Sequence, residues 1–245
     1  MTEEKLLLAG GKRHAKSAPV RNTILLSLPE AEFRCVSDSL EHVQLSRHHS
    51  LHEPTEVLDH VYFPNGGLIS LVVATEDGKT VEAGVVGKEG MVGTPLVVGL
   101  RHSPLREIVQ IPSDGFRIKA AALQAALPGA PAFQITLSRY AVIQGMQTAQ
   151  TAACNRLHDV AQRLARWLLT AVDRVDSDSL PITHDYLATM LGTDRPSVSV
   201  AAGILQKENS IKYTRGSVKV LDRVALEESA CECYRVIHQL NDDMD

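Results

Sequence analysis

The stretch LATMLGTDRPSVSVAAGIL, residues 187–205, sets a glycine, a proline and several short hydroxyl and acid side chains between two apolar runs. Counting His184 as position one, two helices can cross closely only if position five is small. Position nine must tolerate left-handed φ, and position fifteen must be aliphatic. Ala188, Gly192 and Val198 meet these needs, and Leu187, Leu191 and Ala201 fill the positions that must be buried. Thr183 can cap the first helix. Asp194 or Thr193 can cap the second, with Pro196 in its first turn, where a missing N–H costs nothing. The pattern is a helix-turn-helix, a unit that offers the outer face of its second helix to DNA. Two short alternating runs around Arg215-Gly216 (IKYTRGSVKV, 211–220) then read as a β-wing. Lys212, Arg215 and Lys219 on it would face phosphates, with Thr214 and Ser217 beside them.

Other reactive side chains form weaker patterns. Cys35, Cys154, Cys231 and Cys233 are too few and too scattered for a secreted disulfide framework. Cys231 and Cys233 are one residue apart, a poor fit to ordinary zinc spacing, and read as buried thiols. His48, His49 and His52 lie in RHHSLH, where neighbours on a strand point to opposite faces. No residue is assigned as a metal ligand. No catalytic triad, P-loop, nucleophile elbow or His-x-His motif is present, so the chain is not expected to be an enzyme.

The totals hide the basic patch. The 245 residues carry a net charge of -4. Yet residues 181–223 hold six bases against four acids, while residues 225–245 hold six acids against one base. The acidity sits in the tail. With no secretory segment and no apolar run of membrane-spanning length, a cytoplasmic protein without a membrane partner is expected.

These motifs need elements to carry them. Residues 1–21 are polar and basic and read as a disordered arm. Residues 22–43 read as helix. Runs at 57–63, 68–74, 80–86 and 106–112 read as short strands, and Asp77-Gly78 as a type I′ hairpin turn. Such strands with Gly-rich turns suggest a small jelly roll. Residues 118–127 read as a short helix. From Pro131 to about residue 156 runs a long one, about 37 Å at 1.5 Å per residue. Phe133, Leu137, Tyr140, Met146, Ala149 and Ala153 on it are candidates for a dimer seam. Residues 155–159 read as a hinge capped by Asp159, and 157–175 as an amphipathic helix.

In this order the chain resembles the cyclic-AMP receptor protein/FNR family of bacterial transcription regulators. The stretches that carry the likeness are HDVAQRLARWLL (158–169), ITHDYLATMLGTDRPSVSVAAGIL (182–205) and IKYTRGSVKVLD (211–222). PNGGLISLVV and VVGKEGMVG resemble the sensor half of a divergent subgroup. The resemblance implies an α+β fold: a cyclic-nucleotide-binding-like β-roll over 22–130, a dimerisation helix and hinge over 131–156, and a winged helix-turn-helix with an acidic tail over 157–245. It implies a homodimer on a pseudo-palindromic double-stranded DNA operator, with RNA polymerase as a further partner. It implies that Arg195 reaches a base edge, and arginine bidentate to guanine is the commonest specific contact. Ser197, in the first turn, can meet a phosphate, and Ser199 is a second small donor. Where the archetype has an acid and a second arginine, this chain has Pro196 and Val200, so the archetype's target does not carry over. Val200 can instead touch a thymine methyl.

The cofactor stays unknown. Family members that bind cyclic AMP hold the ribose with Gly-Glu and the phosphate with Arg-Ser. Here Gly93 is followed by Thr94, and Arg106 by Glu107, an acid expected on a solvated strand edge. That disfavours a cyclic nucleotide, with Gly93, Thr94, Arg101 and Arg106 as the remaining effector-binding candidates. An FNR-type iron–sulfur cluster needs cysteines grouped near the N-terminus, where only Cys35 lies. The expected function is a sequence-specific, homodimeric, effector-responsive transcription regulator. The alternative is a small-molecule, redox or metal sensor whose winged helix contacts protein rather than DNA.

Overall fold

A computed structural model of the chain describes residues 14–15 and 18–242. Two short strands, β1 (His14–Ala15) and β2 (Ala18–Pro19), precede helices α1 (Thr23–Ser27) and α2 (Glu30–Ser37). Two antiparallel sheets follow. One has the order β3 (Glu41–Leu45), β9 (Ser113–Lys119), β5 (His60–Pro64); the other runs β4 (Ser50–His52), β8 (Arg106–Ile111), β6 (Leu68–Ala74), β7 (Thr80–Val86). They close on Leu45, Tyr62, Ile69, Leu71, Val86 and Val109, a roll filled by its own side chains. Helices α3 (Ala120–Ala126) and α4 (Pro131–Leu157) cover the three-stranded sheet through Phe63, Phe116 and Phe133.

Helix α5 (Val160–Val175) opens the C-terminal part. Asp159 accepts from Gln162 N–H while the Gln162 side chain returns to the Asp159 N–H, a reciprocal cap that fixes the hinge. Then come β10 (Ser179–Leu180), α6 (His184–Leu191), α7 (Arg195–Lys207), the hairpin β11 (Ile211–Thr214) and β12 (Ser217–Val220), α8 (Arg223–Ser229) and α9 (Cys233–Asp242). Strand β10 completes the wing sheet by pairing with β12.

The two halves share one core. Strand β6 is apolar almost throughout because both its faces are covered. Ile69 and Leu71 face the roll interior, while Leu68 and Val72 join Trp167, Leu168, Leu187 and Leu191 of the C-terminal part. Val85 and Ile111 do the same from β7 and β8. Glu82 of β7, only 4% exposed, lies in this seam and accepts from Trp167 Nε1 at 2.6 Å and Ser70 Oγ at 2.5 Å. The loss of hydration pushes its carboxyl up to about 7, outweighing those donors and the attraction of Arg166 and Arg174. Arg174 also reaches Glu89 at 2.7 Å, and Arg47 donates to Pro181 O at 2.7 Å.

Several expectations change. The helix read over 22–43 is two helices followed by β3, because Pro29 forces Leu28 into extended backbone (ψ 143°). The Asp77-Gly78 turn is not type I′: Gly78 alone of the pair has positive φ, 81°, and its N–H bonds to Thr75 O. This is the three-residue loop in which a type I turn is followed by a left-handed glycine. The arm over 1–21 is ordered at 14–15 and 18–21: Ala15, Ala18 and Val20 are buried and Arg21 N–H bonds Asn65. Residues 1–13 and 16–17 lie outside the described residues. Strands β3, β4 and β9 lie outside the predicted strand runs, and 118–119 belong to β9 rather than to a helix. Helix α5 starts at Val160, since Leu157 ends α4 and is exposed.

Candidate nucleic-acid interface

Helices α6 and α7 cross on Ala188, Val198, Ala201 and Leu205, all buried. Gly192 supplies the left-handed turn, φ 59°, and its N–H closes α6 onto Ala188 O and Thr189 O. A Cβ there would also stand 3.1 Å from Val81 of the roll. Thr183 accepts from Tyr186 N–H at 3.2 Å, and Asp194 from Ser197 N–H at 2.7 Å. That N–H donor holds the Asp194 carboxyl below its usual range. Of the two capping candidates Asp194 is the cap, and Thr193 is the half-buried residue before it.

The opposite side of α7 is open. Arg195, Pro196, Ser199 and Val200 are exposed and Ser197 is half-buried. Val200 is 65% exposed on the face away from Val198. The polar groups of this open face are held locally. Arg195 Nε lies 3.5 Å from Asp185 Oδ1, and Ser199 Oγ donates to Arg195 O at 3.0 Å while meeting His184 Nδ1 at 3.0 Å. His184 stacks on Tyr213 of the wing with ring centroids 3.9 Å apart. Partial burial and then Arg195 lower its pKa. Beside this face, Lys212, Thr214, Arg215 and Lys219 project from the wing hairpin, where Gly216 turns with φ 81° and Ser217 is half-buried. Lys219 Nζ lies 3.3 Å from Asp178, an exposed pair that contributes little.

The six dimer-helix candidates separate into two sets. Phe133, Leu137 and Tyr140 are buried in the roll core of their own chain and have no free face to offer a second chain. Tyr140 Oη packs where a Cβ on Gly90 would sit. Met146, Ala149 and Ala153 remain exposed, and with Ile135 (60% exposed), Val142 (63%) and Gly145 they make a stripe along α4. Ile135, Val142 and Ala149 repeat every seven residues, a spacing the sequence alone mixed with that of the core face.

The effector candidates do not converge. Gly93 (φ 90°) and Thr94 open a 3₁₀ turn, Thr94–Val98, with Thr94 Oγ1 bonded to Gln144 of α4 at 3.0 Å. Arg101 pairs with Asp59 at 2.6 Å and Arg106 with Glu53 at 2.9 Å. Glu107 is not on a solvated edge: β8 lies between β4 and β6, and the carboxylate, 2% exposed, bonds buried His52 Nδ1. A cleft of about 530 Å³ opens beside Arg101, His60 and Lys119, and the other three candidates do not line it. His48 and His49 are exposed on the turn before β4.

One cluster was missed. Cys154 and His158, at the end of α4, meet Cys231 and Cys233 at the junction of α8 and α9, with all four ligating atoms within 4.8 Å of one another. The pair read as buried thiols is buried, and it also belongs to a group of four donors. Its other members lie far back in the sequence, where no spacing rule links them.

Residues 162–229 match the family model of the Crp-like helix-turn-helix domain. No curated protein matches the chain by sequence. Solved structures share its fold at low identity. FixK2 from Bradyrhizobium japonicum is 13% identical, with a TM-score of 0.68 over 78% of this chain and 98% of that one. The c-di-GMP-responsive global regulator CLP of Xanthomonas campestris is 15% identical, with a TM-score of 0.65 over 78% and 99%. A CRP-family transcriptional regulator from Thermus thermophilus is 19% identical, with a TM-score of 0.64 over 77% and 96%. Residues 162–229 thus match a Crp-like helix-turn-helix domain, and over 77–78% of its length the chain shares the fold of these solved structures.

Proposed function

We propose that the protein is a homodimeric, sequence-specific DNA-binding transcription regulator, without catalytic activity, whose reading heads are α7 and the β11–β12 wing. The observation that carries this is the open face of α7, with Arg195, Ser199 and Val200 beside exposed Lys212, Arg215 and Lys219 in an otherwise acidic chain. Arg195 reads a base edge, Val200 packs on a thymine methyl, and the wing bases contact phosphate. Thr183, Thr193, Asp194, Pro196, Ser197, Thr214 and Ser217 shape that surface or add short polar contacts to it. Two chains joined along the Ile135–Val142–Ala149 stripe would set two such heads about 34 Å apart on a pseudo-palindromic operator.

The seam around Glu82 supports regulation by docking. It holds α5 and α6 against the four-stranded sheet, so any effector that favours one docking of the two halves over another alters how the heads are presented. Glu82 is the pivot of that seam because it is bonded from both sides. The cleft beside Arg101, where Asp59 pairs with that guanidinium, is the candidate place for a small effector.

Selection of bound fragments from a random DNA pool tests the reading. Enriched fragments should carry an inverted repeat with half-site centres one helical turn apart. A pool that stays unenriched at low salt overturns the reading in favour of a winged helix that contacts protein.

A further inference from the structure

The four-donor cluster has the chemistry and the surroundings of a metal centre. Cys154 Sγ lies 3.5 Å from Cys231 Sγ, and Cys233 Sγ lies 3.6 Å from His158 Nδ1. In a tetrahedral zinc site, with bonds of about 2.3 Å to sulfur and about 2.0 Å to nitrogen, neighbouring donors stand about 3.5–3.8 Å apart. The three thiols are free and almost fully buried, and His158 is partly so. A Cys3His set with all four positions filled by protein is a closed, structural donor set rather than a catalytic one.

The surroundings point the same way. His158 turns its second nitrogen, Nε2, to Glu232 Oε2 at 3.2 Å, the carboxylate–histidine arrangement that orients metal-bound imidazoles. Gln150 Nε2 donates to Cys233 Sγ at 3.1 Å, a bond suited to a thiolate. Arg163 and Arg166 are buried, each leaves its Nε without a partner, and both lie within electrostatic reach of Cys154. A divalent ion with three thiolates and a neutral imidazole carries one net negative charge. Two buried guanidinium groups, each with an unpartnered Nε, are fitting neighbours for it.

We propose that Cys154, His158, Cys231 and Cys233 form a Cys3His site for a zinc-class divalent cation. The ion fastens the C-terminal end of α4 to the junction of α8 and α9. Binding displaces three thiol protons and leaves the imidazole neutral. The donors flank the α4–α5 hinge, so an occupied site fixes the angle at which α5 leaves α4. It also fixes where the helix-turn-helix stands relative to the long helix. The inference is independent of what the helix-turn-helix contacts.

Protein purified anaerobically with a reductant tests this, by elemental analysis and by titration with cobalt(II). The expected result is equimolar zinc, and on cobalt exchange the sulfur-to-metal charge-transfer and d–d bands of a tetrahedral thiolate site. Cys154→Ser and Cys233→Ser should lose the metal. Because a missing ligand can also cost the fold, Glu232→Gln is the second variant. It should keep the native circular dichroism and bind cobalt about 10–100-fold more weakly. Folded protein that takes up neither zinc nor cobalt overturns the proposal. So does metal uptake unchanged in the Cys154→Ser and Glu232→Gln variants, or an iron–sulfur chromophore in place of zinc.

Discussion

Trp167 Nε1 donates a 2.6 Å hydrogen bond to Glu82 Oε1, joining the helix after the hinge to a strand of the roll 85 residues earlier in the chain. Ser70 donates to the other carboxylate oxygen and also meets Tyr186 Oη at 3.1 Å, so the buried acid ties α5 to the sheet directly and α6 through Ser70.

That acid makes stability depend on pH. Burial pushes its carboxyl from the ordinary 4.5 up to about 7. The folded state therefore holds a proton that the unfolded state releases. The resulting stability is fully present below about 4.5 and is lost as pH rises through about 7, on the order of 3 kcal/mol in all. Glu82→Gln keeps the hydrogen-bonding shape without the titration. Thermal melts at about pH 5 and about pH 8 should show a smaller loss of Tm for the variant than for the parent. Equal losses in the two proteins would assign the pH dependence to other groups.

The reading face and the wing should fail differently. Arg195→Ala should cost about 1–3 kcal/mol on the preferred operator and relax discrimination at one base pair per half-site. Arg215→Ala and Lys219→Ala should weaken all sequences about equally and lower the salt slope by roughly one each. Quantitative gel shifts across a salt series separate the two patterns. Unchanged sequence preference in Arg195→Ala would remove the role given to that residue.

The long helix offers a similar contrast. Val142 is exposed on the stripe and Leu137 is buried in the roll core. Val142→Glu should leave the fold intact and give a monomer by sedimentation. Leu137→Ala should destabilise the fold by about 2–5 kcal/mol. Sedimentation of Val142→Glu as a stable dimer would move the interface elsewhere.

Two glycines predict opposite signs. Gly192 has φ 59° and faces Val81, so Gly192→Ala should lose about 1–2 kcal/mol in urea unfolding. Gly203 sits within α7 with nothing within 4 Å of a Cβ, so Gly203→Ala should gain about 0.5–1 kcal/mol. A neutral Gly192→Ala would mean that the turn relaxes without strain.

The helix-turn-helix was legible because its rules are local. Thr183, Gly192 and Asp194 act on backbone within four residues of themselves, and Ala188 and Val198 are ten apart. The strands with β-branched runs, β6 and β7, were legible for the same reason. Strand β3, EHVQL, was not: Glu41, Val43 and Leu45 alternate with exposed His42 and Gln44, but only two of the inward three are apolar, and pairing with β9 makes the run a strand. The seam and the four-donor cluster were invisible for a further reason. Glu82 reads as a surface acid on an alternating strand until α5 covers it, and Cys154 meets Cys231 across 77 residues. Such placements arise from tertiary packing, which no window of sequence contains.

The double covering of β6 bears on how easily the reading head can swing. Lifting it from the roll would bare Leu68, Val72, Val85 and Ile111 together with their partners on α5 and α6. Each such side chain brought into water costs about 1.5–3 kcal/mol. A free head is therefore not a neutral alternative. Either the head slides between wetted and dry contacts of similar area, or another surface must take the strand's outer face as the head leaves. The cost of any such displacement is thus written into the outward-facing residues of a sheet whose inward-facing ones merely fill the roll.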